Sequence, residues 1–268
     1  MIRLLRGLFS PEFRTMTGMR VEGQMKYMIN ITGRSAFMVL FMLFLVSAAP
    51  IQVNGEEILL RDNFNDLDNW KPLYFSGIKE HTKYSIESDE GNSFLKAESR
   101  ASASGIVNNR EFNVYDFPRL RWRWKISNTY KKGDAEEKSG DDYPLRVYIL
   151  FKYDPETASL GRKIRYALAK TIYGEYPPHS SLNYIWANRK HGRNIISNAY
   201  ASEVKMIPLQ TGNENSGKWI EQDINIIRDY RAAFGEDPPL TGRLAIMSDS
   251  DNTGESAVSY IDYIEVFR

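Results

Sequence analysis

The chain is 268 residues long, 42% hydrophobic and 26% charged, which excludes a disordered or fibrous protein. A formal net charge of +1 lacks the basic footprint of nucleic-acid binding, so no nucleic-acid partner is expected. There is no cysteine, hence no disulfide, thiolate metal site or cysteine nucleophile, and none of His81, His179 and His191 has a histidine three or four residues away to build a helix-borne zinc motif.

Residues 36–46, AFMVLFMLFLV, form an uninterrupted apolar run, shorter than the roughly 20 residues that span a bilayer. Lys26 and Arg34 precede it and Ser47-Ala48-Ala49-Pro50 follow, the order of a secretory signal. Residues 1–55 are therefore read as an N-terminal extension and signal peptide, and 56–268 as a single extracytoplasmic domain, periplasmic or secreted. The alternative is an uncleaved anchor, the one expected contact with a membrane.

From Ile58 onward, short alternating segments are separated by Gly, Asn, Asp and Pro clusters, the spacing of an antiparallel sandwich. The segment Ile58 to Phe64 reads as a first strand, with Trp70 as a buried residue after the turn. In Arg119 to Ile126, RLRWRWKI, Leu120, Trp122, Trp124 and Ile126 share one face and Arg119, Arg121, Arg123 and Lys125 the other. The tryptophans are expected in the core and the guanidinium groups outside. Leu145 to Phe151 repeats the pattern, with Arg146, Tyr148 and Leu150 on the polar side. If the two strands are neighbours, Arg121, Arg123, Arg146 and Tyr148 line one surface suited to an anionic ligand.

Helical spacing replaces alternation near 157–176, where Leu160, Ile164, Ala167, Leu168 and Ile172 make an apolar stripe beside basic residues. This segment is expected to cover a sheet edge or an open end of the sandwich, with a membrane-surface helix as its rival. Strands follow at Leu182–Ala187, Glu203–Leu209 and Lys218–Ile226, then a short helix from Arg228 to Phe234 closed by Gly235, and last strands at 242–247 and 256–267. The order favours an all-β fold, a jelly-roll antiparallel sandwich decorated with one inserted amphipathic helix and one short helix.

Two acidic groups are candidates for chemistry. Asp249, Asp251 and Asn252 offer hard oxygens to calcium, although no glutamate completes an EF-hand loop, and an Asx-rich turn ending at Gly254 accounts for the same residues. Asp141 and Asp142 stand just before a strand, and one of them meeting Asp249 or Asp251 would supply the carboxylate pair of a glycoside hydrolase. Salt bridges to arginine are the simpler use. His179 lies beside Ser180 and Ser181, but no G-x-S-x-G elbow surrounds them.

RLRWRWKI, the GDDYP run at 140–144 before LRVYILF, LNYIWA, DYRAAFGEDPP from Asp229, and SDSDNTG at 248–254 together resemble the bacterial family catalogued as domain of unknown function 3047. The resemblance covers the chain from about Asp62 onward. It implies exported proteins of jelly-roll architecture similar to carbohydrate-binding modules, and brings no activity. The expected function is a non-catalytic, carbohydrate-type binding module, its ligand a polysaccharide, including an acidic glycan, or another small polar molecule. Arg121, Arg123, Arg146, Tyr148, Asp142 and Asp249 are its candidate contacts, and no cofactor is required beyond the calcium alternative. A polysaccharide hydrolase or lyase using these carboxylates, and a structural envelope component, are the other readings.

Overall fold

The computed structural model describes residues 55–156 and 176–268. The N-terminal extension and all but the last residue of the expected helical insertion lie outside the described residues. The strands are β1 (Ile58–Asp62), β2 (Trp70–Leu73), β3 (Lys83–Asp89), β4 (Asn92–Arg100), β5 (Ala103–Asn113), β6 (Arg119–Ile126), β7 (Arg146–Phe151), β8 (Ser180–Ala187), β9 (Ile196–Ser197), β10 (Val204–Thr211), β11 (Ile220–Asn225), β12 (Thr241–Asp249) and β13 (Ser256–Phe267). Among the described residues one α-helix, α1 (Ile226–Phe234), joins β11 towards β12. The Asn225 side chain caps its start by accepting from the Arg228 amide, and Gly235 ends it at φ 75°.

The strands make a two-layer jelly-roll sandwich. The six-stranded sheet runs β11-β6-β13-β4-β3, and β1 pairs with β13 beyond the end of β4. The seven-stranded sheet runs β2-β5-β12-β7-β8-β10-β9. Every pairing is antiparallel except β8 with β10, which is parallel. A parallel neighbour needs a crossover, and residues 188–203 supply it, packing Ile196 with Ile185, Met206 and Tyr143 in a small second core.

The alternation of β6 sets the main core. Leu120, Trp122, Trp124 and Ile126 are fully buried, with Trp122 at 5.6 Å from the Tyr184 ring and Trp124 at 5.5 Å from the Trp186 ring, centroid to centroid. Those partners belong to β8, so the indoles bridge the two sheets. Val147, Ile149 and Phe151 of β7 and Leu182 of β8 complete this layer.

The expected neighbourhood of β6 and β7 is overturned. β6 lies in the six-stranded sheet between β11 and β13, whereas β7 lies in the other sheet between β12 and β8. Residues 127–145 between them are far longer than a hairpin loop and carry the chain from one layer to the other. Arg121 and Arg123 therefore do not share a surface with Arg146 and Tyr148. Nor are the β6 guanidinium groups free. Arg121 stands in register with Asp223 of β11 and Glu265 of β13, and bonds both carboxylates as well as Glu56. Arg119 bonds Asp223, and Arg123 bonds Asp262 at 2.9 Å. Cross-strand pairing of opposite charges thus neutralises this face.

Candidate functional site

The outer face of the seven-stranded sheet forms the floor of a cleft of about 900 Å³. The residues lining it alternate outward from β7 and β12: Arg146, Tyr148 and Leu150 on one, continued by Lys152 just past its end, and Arg243, Ala245, Met247 and Asp249 on the other. Leu73 at the end of β2, with Phe75 and Ile78 after it, forms one wall. Tyr153, Tyr176, Pro177 and Pro178 stand over another part, and Asn198 and Tyr200 of the crossover over a third. The parallel β8–β10 pairing thus contributes to the site, because its crossover passes over this face.

One end of the cleft is acidic. Arg146 is 4% exposed and bonds both carboxylate oxygens of Asp249, from Nε at 2.9 Å and from Nη2. Its Nη2 also donates to the Asp141 carbonyl at 2.8 Å, and the guanidinium lies over the Tyr143 ring at 4.4 Å. Asp249 Oδ1 accepts a further bond from the Tyr143 amide at 3.0 Å. Asp141, also buried, accepts from Asn198 Nδ2 at 2.7 Å through Oδ2, while its Oδ1 has no hydrogen-bond partner and lies 3.6 Å from Arg146 Nη1.

Asp142 is fully buried behind this end. Its oxygens accept from the amides of Asn252 at 3.3 Å and Thr253 at 2.6 Å, and its own carbonyl accepts from Asn188 Nδ2 at 2.6 Å. Burial raises its pKa above the ordinary carboxylate value, against the opposing bonds from Thr253. Asp142 does not line the cleft. The turn after β12 is Asx-rich, with Gly254 at φ 70° and its amide bonded to the Ser250 carbonyl.

Of the residues singled out in the sequence, Arg146, Tyr148, Asp249, Asp251 and Asn252 converge on the cleft and Asp142 backs it, whereas Arg121 and Arg123 lie on the opposite face of the sandwich. Carboxylate oxygens of Asp142, Asp249 and Asp251 lie within 4.8 Å of one another. Two of the three are already committed, Asp249 to a guanidinium and Asp142 to backbone amides, so their first chemical use is to anchor the loops at this end. Burial also raises the Tyr148 phenol pKa, leaving it a neutral hydroxyl beside the Arg146 charge.

Sequence reasoning flagged Asp141 as one of the acidic pair before β7, and missed Asn198, Tyr200 and the floor from β12. One signal was present: β12 is apolar on both parities, Leu244 and Ile246 on one and Ala245 and Met247 on the other. A strand of that kind is covered on both faces.

Gly140 fixes the loop that presents Asp141 and Asp142. A Cβ there would sit 2.5 Å from the Asp134 amide nitrogen and 2.9 Å from the Lys132 carbonyl oxygen, both backbone. Gly140→Ala is expected to cost about 1–3 kcal/mol, measured by urea unfolding. A loss under about 0.5 kcal/mol, the usual surface range, would show that the loop moves freely.

A family model described as "Protein of unknown function (DUF3047)" matches residues 68–265. No curated protein matches the sequence. Among solved structures, the chain is similar to a family 11 carbohydrate-binding module of a cellulosomal cellulase of Clostridium thermocellum, at 13% identity and TM-score 0.41, covering 79% of this chain and 94% of that one. It is similar to endoglucanase 3 of Trichoderma harzianum at 7% identity and TM-score 0.36, covering 74% and 97%. It is also similar to a lectin from Bauhinia forficata in complex with GalNAc, at 12% identity and TM-score 0.38, covering 80% and 98%.

Proposed function

Since the chain belongs to the family described as a protein of unknown function, DUF3047, whose description supplies no activity, we propose a function from the cleft: a non-catalytic binding module for a carbohydrate-type ligand held on the outer face of the seven-stranded sheet. The observation that carries this reading is the composition of the cleft. Apolar and aromatic side chains line it, among them Leu73, Phe75, Tyr148, Leu150 and Met247, with charged groups at the two ends, Arg146 and Asp249 at one and Lys152 and Arg243 at the other. That build is usual for a small-molecule site, and about 900 Å³ accommodates a short oligosaccharide. Tyr148 offers a ring to a sugar face, and Asp251 and Asn252 offer acceptors and donors to hydroxyl groups.

The lining favours a neutral sugar over an acidic one. Arg146 is engaged by Asp249 and Lys152 by Glu111, Arg243 donates to the Asn108 carbonyl, and Asp141 and Asp251 add further negative charge. The catalytic alternative is weaker, because Asp142, the carboxylate with the raised pKa, is 0% exposed and stands behind the cleft. The apolar run at 36–46, ahead of Ser47-Ala48-Ala49-Pro50, supports export of the domain to an extracytoplasmic compartment.

Affinity electrophoresis across neutral and acidic polysaccharides tests the proposal. Retardation by at least one neutral polysaccharide is expected, and retention by none of them would overturn it. In a binding polysaccharide, Tyr148→Ala is expected to weaken affinity on the order of tenfold, about 1.4 kcal/mol, with Tyr148→Phe close to wild type. Release of reducing ends during incubation would instead establish the hydrolase.

A further inference from the structure

A second cluster lies outside the cleft. Asp134 and Glu136, in the loop between β6 and β7, meet His191 of the crossover after β8, with one potential ligand atom from each within 4.8 Å of the others. Asp134 accepts from the Glu136 amide on Oδ1 at 3.1 Å and pairs with Arg189 through Oδ2, contacts that fix the orientation of its carboxylate, for which an ion has to compete with Arg189. Glu136 is exposed. His191 Nε2 is buried without a hydrogen-bond partner, and a ring nitrogen of His191 lies within 4.8 Å of a carboxylate oxygen of each acid.

We propose that Asp134, Glu136 and His191 bind a divalent ion of the zinc class, which staples the β6–β7 loop to the β8–β10 crossover. One imidazole nitrogen with two carboxylates suits a borderline transition ion better than calcium, whose ligands are oxygens, and the remaining coordination positions are left to water. The nearby Arg189 charge opposes the ion, so binding weaker than at a four-ligand structural site is expected. The staple also has a consequence in the loop. The Asp134 amide donates to the Gly140 carbonyl at 2.7 Å, and Asn188 joins the Tyr130 amide to the Asp142 carbonyl, so the segment being clamped is the one that carries Asp141 to the cleft.

Titration of the chelator-stripped full chain with zinc chloride by calorimetry tests the site directly and needs no sugar ligand. One saturating equivalent is expected, with a rise in the thermal midpoint on loading. Glu136→Gln, an exposed change, and His191→Ala are each expected to weaken binding at least tenfold, while Asp251→Asn leaves it unchanged. Absence of a saturable equivalent would overturn the proposal, as would zinc uptake indifferent to Glu136→Gln and His191→Ala. Loss of uptake in Asp251→Asn alone would move the ion to the cleft and overturn it too.

Discussion

Replacing Arg146 by alanine is expected to destabilise the protein by about 3–5 kcal/mol, the cost of removing one partner from a buried ion pair. The guanidinium is 4% exposed and faces two buried carboxylates, Asp141 and Asp249, with Asp142 close behind. Its removal leaves these charges in a medium of low dielectric with fewer donors, and the side chain also withdraws from the Tyr143 ring. Arg146→Met with Asp249→Leu, which removes charge from both sides, is expected to recover part of the loss, because a buried pair contributes far less than one orphaned partner costs. Urea unfolding of the two single variants and the double variant closes the cycle. An Arg146→Ala variant within about 1 kcal/mol of wild type would mean that the pair is solvated in solution and that the acidic end of the cleft is open.

Trp124→Ala is expected to cost about 3–5 kcal/mol, the range for large aromatic truncations in a core. The indole is fully buried and makes contact in two directions, edge-on to Trp122 at 5.4 Å within its own sheet and with Trp186 at 5.5 Å across the sandwich. Its deletion opens a cavity between the layers that neither sheet can close alone. Trp124→Phe separates packing from polarity. Trp124 Nε1 is buried without a hydrogen-bond partner, so phenylalanine sheds an unsatisfied donor while keeping a ring, and a loss of about 1 kcal/mol is expected. A phenylalanine variant as unstable as the alanine variant would show that the indole nitrogen has a partner in solution. Both comparisons matter for a domain whose total stability is on the order of 5–15 kcal/mol.

The sequence carried the layers of this protein more clearly than their contacts. RLRWRWKI reads as a strand with one buried and one charged face because period-two alternation is a local property, and Leu120, Trp122, Trp124 and Ile126 are buried accordingly. The same holds for the end of α1 at Gly235, whereas its start, read at Arg228, falls two residues earlier, where Asn225 caps it. Which strands lie side by side is a non-local property. Sequence order suggested that β6 and β7 are neighbours, and the long connection between them instead takes β7 to the other sheet. The partners of Arg121 were hidden for the same reason, since Asp223 and Glu265 reach it only through pairing registers on two different strands.

The candidate site was legible in part. The GDDYP run and the SDSDNTG run each stood out as acidic turns, and their proximity in space follows from β12 pairing with β7, which no local pattern encodes. The parallel β8–β10 pairing was invisible for a similar reason. With it went the wall that Asn198 and Tyr200 contribute. Helical spacing near 157–176 falls on residues outside the described ones.

The place of β13 in the six-stranded sheet bears on how the protein is made. It is the last strand of the domain and the shared neighbour of β1, β4 and β6. A chain leaving the ribosome at about 5–20 residues per second therefore exposes those three edges without their template. Only when Ser256 to Phe267 emerge does that half of the molecule close, and so many distant pairings put its folding on the scale of milliseconds to seconds. Until then its unpaired edges are available to chaperones and to copies of themselves.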